Sequence, residues 1–308
     1  MNKEIRFLKN SQIDYSKWDE VVDLSPQGKI YYYSWYLDLI HPYWKACVLG
    51  DYEMVFPVLD KKKFLISYVI TPIFIQESGV IAKDDNKVEV SSFVRCLIHS
   101  QSIHYMNLFL SPGNYLNQSK NSKIHFRKAQ QISLNQTYDS IYTSYSNHLK
   151  RNLRKANKNK LKLVYDENGD SVVDFFKLNR GGQLKELSEN HFVILKKLFK
   201  TIIDNNKGKV ISVYHNDVLI ANAFFIFSNN QVIYFKGSSN KIGRSLSAMH
   251  FLIDEVIKLN VSKSNFFDFG GSNLDSIARF NYNFGAEDYS YPVYKENRLP
   301  FFLKWIKP

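Results

Sequence analysis

The stretch VISVYHNDVLIANAFFIFSNNQVIYFKGSSNKIGRS (residues 210–245) decides the fold. Three apolar runs, 210–214, 218–227 and 231–237, are separated by His215-Asn216-Asp217 and Ser228-Asn229-Asn230. Asn and Asp tolerate positive φ, so each separator is a tight turn. The runs therefore form a three-strand antiparallel meander. A polar loop, 238–245, leads into a helix over 246–259, a buried strand over 265–269, a helix over 274–284 stopped by Gly285, and a closing strand over 289–294. Upstream lie a short strand over 161–165, a helix over 172–178, and a longer helix over 188–203 with Ser188 as N-cap and Glu189 in its first turn. Helices, meander, helix, strand, helix, strand is an α/β (α+β) order.

Ahead of this block, residues 141–158 read as one amphipathic helix. Ile141, Tyr145, Leu149 and Leu153 repeat every four residues on one stripe, while Lys150, Arg151, Arg154, Lys155 and Lys158 gather on another. Residues 148–162 carry seven basic side chains and no acid. Such a face is either simply solvated or an anion site for the phosphates of a nucleotide, coenzyme A or tRNA. The charge is uneven: 1–135 hold 16 basic and 13 acidic residues, whereas the net charge of the whole 308-residue chain is +12. The first half alternates short strands (5–8, 44–49, 53–58, 69–75, 103–110) with helices (15–23, 34–40, 88–99), and a polar stretch at 128–138 reads as a boundary. Two regions follow, 1–135 and 136–308.

Composition excludes other classes. Hydrophobic residues make up 44% and aromatics 15%, so disorder is excluded for most of the chain. Two cysteines build no disulfide framework and have no zinc-ligand spacing. The eight histidines show no metalloprotease spacing, and no Walker loop, GxGxxG or GxSxG occurs, so no metal is expected. The N-terminus lacks a signal-peptide h-region and no apolar run is long enough to span a membrane, so the expectation is a cytoplasmic protein.

YFKGSSN (234–240), the helix SLSAMHFLIDEVIK, FFDFGGS (266–272) and IARFNYNFGAE (277–287) together resemble the C-terminal half of the Fem-like (FemAB-type) N-acyltransferases. YTSYSNHLKRNLRKANK (142–158) is similar to the basic opening helix of their second domain, and residues 28–50 resemble the first domain of a bacterial subgroup. The resemblance implies a double GNAT (Gcn5-related N-acetyltransferase) fold: two tandem α/β domains with mixed central sheets flanked by helices, sharing a cleft. It implies a degenerate N-terminal domain on the acceptor side and a donor-binding, catalytic C-terminal domain.

It also implies an acyltransferase using acyl-coenzyme A (acetyl-CoA) as co-substrate. The acceptor would be an amine of a small molecule, an amino sugar or a peptide precursor of the cell envelope. Acyl transfer to an amine needs an anion cradle, a donor to the carbonyl oxygen, a base and room for the leaving group. The family's cradle corresponds here to Asn240-Lys241-Ile242-Gly243-Arg244-Ser245, so Gly243, Arg244 and Ser245, with Lys241, are expected at the donor phosphate. Gly237, Ser238 and Ser239 end the strand that would meet the thioester carbonyl. By alternation Lys236 shares a face with Val232 and Tyr234, which on the cleft side makes it an oxyanion or phosphate ligand. Asp268, set among phenylalanines, is a candidate base or a scaffold carboxylate, and Tyr282 is a candidate general acid. Where the family carries Arg/Lys-Phe-Lys this chain has Arg279-Phe280-Asn281, one cation fewer. Lys150, Arg151 and Arg154 form a further anionic-ligand surface.

Two rivals remain open. A Fem-type ligase using aminoacyl-tRNA fits the cationic helix, although the chain lacks a long helical arm. A binding protein that kept the fold and lost the chemistry fits the absent second cation. DNA is not an expected partner.

Overall fold

A computed structural model of the chain describes residues 4–63, 65–85, 87–166, 168–271 and 274–306. The chain divides into two compact units, residues 1–128 with 290–308, and residues 129–289. The expected boundary at 135/136 thus falls at 128/129, and residues 290–308 group with the first unit.

In the first unit, strand β1 (Ile5–Leu8) is followed by helices α1 (Tyr15–Leu24) and α2 (Ser34–Ile40), then β2 (Lys45–Leu49) and β3 (Met54–Val58). Next come β4 (Asp60–Lys63), β5 (Ile66–Ile70), the short β6 (Ile81–Ala82) and β7 (Val88–Glu89), helix α3 (Ser91–Gln101), β8 (Tyr105–Phe109) and β9 (Asn114–Tyr115). β1, β2, β3 and β6 form an antiparallel sheet in that order, and β5 runs parallel to β8. The hairpin turn after β2 is where the sequence puts it, with Gly50 at φ +55°. Phe56, Phe93, Leu97 and Met106 fill the core between sheet and α3. Within it Lys29 meets Glu77 at 3.0 Å with both side chains almost wholly buried. β10 (Ser122–Ser133) occupies the stretch read as a polar boundary, and its residues from 129 on belong to the second unit.

The second unit continues with α4 (Tyr138–Ser144), α5 (Asn147–Lys158), β11 (Lys162–Asp166), α6 (Gly169–Asn179) and α7 (Glu189–Asp204). The meander follows as β12 (Gly208–His215), β13 (Val218–Ser228) and β14 (Gln231–Ser239). After it come α8 (Lys241–Ser245), α9 (Ala248–Asn260), β15 (Phe266–Gly271), α10 (Asp275–Tyr282) and β16 (Glu287–Asn297), whose residues from 290 on belong to the first unit. Asn216, Asp217, Asn229 and Asn230 all have positive φ, so both turns of the meander are as predicted. β11 to β14 pair antiparallel in sequence order, β14 pairs parallel with β15, and β15 pairs antiparallel with β10.

The expected single helix over 141–158 is two. The chain bends at Tyr145, and Ser146 caps α5 by accepting from the Leu149 N–H at 3.1 Å. The apolar stripe survives the bend: Ile141, Tyr145, Leu149 and Leu153 are all buried. They pack with Leu252, Val256 and Phe284 against the sheet face formed by Ala221, Ala223, Phe225 and Val232. α6 and α7 cover the opposite face, where Phe199 stacks on Phe224 with centroids 3.9 Å apart. Packing on both faces makes this an ordinary three-layer α/β unit.

Candidate functional site

β14 carries the local geometry on which the site depends. Its pairing with β13 slips by one residue at Phe235: Phe225 faces Tyr234, yet Phe224 faces Lys236. This is a β-bulge, two residues opposing one. Val232 and Tyr234 belong to the core under α9, but Lys236 emerges on the other face, its Nζ 5.0 Å from the centre of the Phe176 ring on α6. The expectation that Lys236 shares a face with Val232 and Tyr234 is therefore corrected, because the bulge resets the two-residue period. Lys236 is partly buried, makes no ion pair among the described residues, and has Arg180 nearby. Desolvation, then the charge of Arg180, lowers its pKa to about 8.

The pairing of β14 with β15 stops just before the bulge. β14 and β15 pair only from Gln231 opposite Phe266 to Ile233 opposite Asp268, and past that register the strands are no longer paired. The end of this parallel pairing lies toward the carboxyl ends of the two strands, the side on which ligands bind in open α/β sheets.

The other predicted residues divide by location. Gly237 follows on β14, where a Cβ would meet the Tyr234 hydroxyl at 2.7 Å and the Ala223 Cβ at 2.8 Å. The missing side chain lets β14 pass close to its neighbours. Ser238 is buried, lies opposite Asn222 in the register, and its hydroxyl has no partner among the described residues. Asp268 is buried to 1% and both its oxygens are engaged: one accepts from the Gly270 N–H at 2.7 Å, the other from the Tyr289 hydroxyl at 2.8 Å. That arrangement ties β15 to its following turn and gives Asp268 a scaffold task. Ser272 lies outside the described residues. Tyr282, 43% exposed, donates to Asp288 at 2.7 Å. Asp288 also accepts from Gln130, whose own oxygen accepts from the buried Asn281, so the residue in place of the family's second cation is a core hydrogen-bond donor.

The cradle segment forms the short helix α8, whose cap is internal. Asn240 accepts from the Gly243 N–H at 2.8 Å through its own side chain. A Cβ on Gly243 would run into the Ile220 carbonyl oxygen, so this glycine is required by packing against β13. Arg244 donates to the Ser239 carbonyl oxygen at 2.6 Å, and Ser245 donates to that of Ile242 at 2.8 Å. Ser239 thus serves as an anchor for Arg244, and Lys241 projects into solvent.

Lys150 donates to the Thr143 carbonyl oxygen at 3.0 Å and lies over the Tyr142 ring. Arg151 and Arg154 are exposed, and among the described residues no carboxylate pairs with them. α5 packs on α9, on the sheet face opposite to that of Lys236. The structure therefore brings Lys236, Ser238 and Asp268 to one face of one sheet and leaves the cationic helix on the other.

Sequence reasoning missed Asn222, fully buried with its amide oxygen unpartnered, and Arg180 at the end of α6. It also missed His250, which sits against Phe280 and Phe284 and is pushed by burial, then by His148, down to about 4. Among the described residues no cluster of His, Cys, Asp or Glu could hold a metal ion, and no helix is long and apolar enough to cross a membrane.

No family model matches the sequence, and no curated protein matches it. Solved structures do. FemX superposes with a TM-score of 0.67 at 12% identity, covering 100% of both chains. A tandem GNAT protein from the clavulanic acid biosynthesis pathway gives 0.53 at 11%, over 96% of this chain and 99% of that one. L-PGS from Bacillus licheniformis gives 0.51 at 8%, over 85% and 86%. Meander and helix order agree with these comparisons: the chain has a Fem-like double GNAT fold.

Proposed function

We propose that the protein is an acyltransferase whose reacting centre lies where β14 and β15 part. The observation that carries this reading is the combination of the parted strands with the bulge at Phe235. A bulge turns main-chain groups out of the ladder, and a slot between strands admits an extended carrier arm beside them. The acyl carbonyl would lie against the backbone from Phe235 to Gly237, and Tyr282 would protonate the leaving group. Acyl-coenzyme A is the proposed donor, with Lys241 and Arg244 toward its phosphates, and an amine is the proposed acceptor. The fold of FemX and of the tandem GNAT protein supports a transferase of this general kind. Asp268, with both oxygens occupied, is left out as base; the acceptor amine would lose its proton to solvent, and Tyr282 would recover from solvent the proton it gives to the donor's leaving group.

Calorimetry with acetyl-CoA and with desulfo-coenzyme A tests the donor assignment. Micromolar binding competed by both supports it. Absence of heat at millimolar ligand, in a protein whose melting curve is intact, overturns it.

A second reading is favoured by one observation, the unpaired Arg151 and Arg154 on α5. An aminoacyl-tRNA donor would use such a face, and the affinity would then fall steeply with salt. Arg151→Glu with Arg154→Glu would weaken tRNA binding while leaving acetyl-CoA binding unchanged.

A further inference from the structure

Four groups on the α6–α7 face of the second unit have polar capacity that the protein itself leaves unused. Lys236 lies over Phe176 with no carboxylate partner among the described residues. Arg180, exposed one turn beyond Phe176 at the end of α6, also has none among the described residues, and its charge bears on Lys236. Two residues along β14 from Lys236, on the same face, the Ser238 hydroxyl is buried without a partner. Directly across from it in the register, the Asn222 amide oxygen is buried without one as well, although its nitrogen reaches the Ser171 carbonyl at 3.4 Å.

Each feature alone has an ordinary explanation; together they do not. Buried polar atoms are nearly always hydrogen-bonded, so two unpartnered oxygens facing each other across adjacent strands are exceptional. Lys236 is partly desolvated, the exposed Arg180 adds a like charge to it, and no ion pair among the described residues neutralises either. A ligand that relieved both conditions would carry a negative charge at the Lys236 and Arg180 end. At the Asn222 end it would carry an N–H or O–H, since an amide oxygen can only accept.

We propose that the acceptor carries a carboxylate held by Lys236 and Arg180, with a hydrogen-bond donor directed at Asn222 and Ser238: an amino acid, or a peptide ending in a free carboxylate. This rests on the transferase reading above and names its substrate class. Lys236 is thereby assigned to acceptor recognition.

The test has a binding arm and a transfer arm on the full-length chain. In the first, the Lys236 side-chain signal is followed by NMR as acetate is added, with inorganic phosphate in a parallel titration. Lys236→Met identifies the signal. Saturable acetate binding that weakens about tenfold in Arg180→Met is expected, as for loss of one charge-assisted contact. Absence of saturation by acetate, or saturation by phosphate alone, overturns the carboxylate assignment. In the second arm, acetyl-CoA is supplied with alanine or with ethylamine, which differ by the carboxylate. A preference for alanine that disappears in both variants is expected. Equal transfer to the two amines overturns the proposal and leaves the transferase reading standing. Acetate binding with no transfer to any amine supports the carboxylate site and counts against the transferase reading.

Discussion

Replacing Lys236 with methionine is expected to stabilise the protein at neutral pH. The lysine's pKa falls from the ordinary 10.5 to about 8 because the partly buried ammonium is desolvated and faces Arg180. Between those values the unfolded chain holds a proton that the folded chain has released, so stability rises with pH across the window from about 8 to about 10.5. Below it the folded state bears the full unfavourable charge. At about 1.4 kcal/mol per pH unit the gap amounts to ~3 kcal/mol. The side chain keeps part of its surface in water, which reduces the figure to roughly 1–2 kcal/mol. Methionine retains the contact with Phe176 and loses only a cation–π term of about 0.5–1 kcal/mol. Urea titrations of wild type and variant, run in parallel from pH 7 to pH 10.5, read the difference. The variant should have the higher midpoint at pH 7, and the two curves should converge by pH 10.5. A variant less stable than wild type at pH 7, or a difference that stays constant with pH, would refute the claim that Lys236 is held uncompensated.

Other outcomes follow from the same geometry. Gly243→Ala should lower stability by about 1–3 kcal/mol, since its Cβ has only the Ile220 backbone to move against; an unchanged thermal midpoint would return this glycine to the cradle role. His250 is neutral well below its ordinary 6.5, down to about 4, so stability should fall as pH drops through that window, by roughly 1–2 kcal/mol for a half-buried ring; in His250→Gln the urea midpoint should depend less on pH between 6.5 and 4.5, and identical profiles would contradict the assignment. Lys29→Met removes the cation facing the fully buried Glu77 and should destabilise by about 3–5 kcal/mol; a loss below about 1 kcal/mol in chemical denaturation would show the pair to be replaceable.

The fold was legible where local chemistry and global packing agree. Asn216-Asp217 and Asn229-Asn230 announce left-handed turns, and the apolar runs between them need no further information. β10 was not legible. Its outer half is polar and charged, and its inner half is interrupted by a register shift between Ala129 and Gln131, so no period of two survives over its length. The break before α5 was marked by Ser146, an N-cap residue, but the four-residue apolar stripe runs through it and hides it. Chemistry was less legible than fold because the same residue types serve both. Asp268 and Gly243 look like site residues in sequence, yet their hydrogen bonds and contacts are spent inside the unit.

Lys236 shows how one inserted residue links fold to site. Without the bulge at Phe235, alternation would point the lysine where Val232 and Tyr234 point, into the apolar layer under α9. An unpaired ammonium there would lose several kcal/mol of hydration with nothing to replace it. With the bulge, Phe235 and Lys236 both leave by the α6–α7 face, where Phe199 meets the ring and Phe176 meets the ammonium. The same shift falls just beyond the last residues at which β14 and β15 pair. The end of the β14–β15 pairing and the turned-out lysine thus lie within a few residues of each other on β14. Deleting Phe235 removes only the extra residue: the lysine would then follow Tyr234 directly, still opposite Phe224 and still on the α6–α7 face. The shortened chain should therefore keep the lysine's lowered pKa while losing the contact with Phe199, and a lysine titrating at its ordinary 10.5 would refute this.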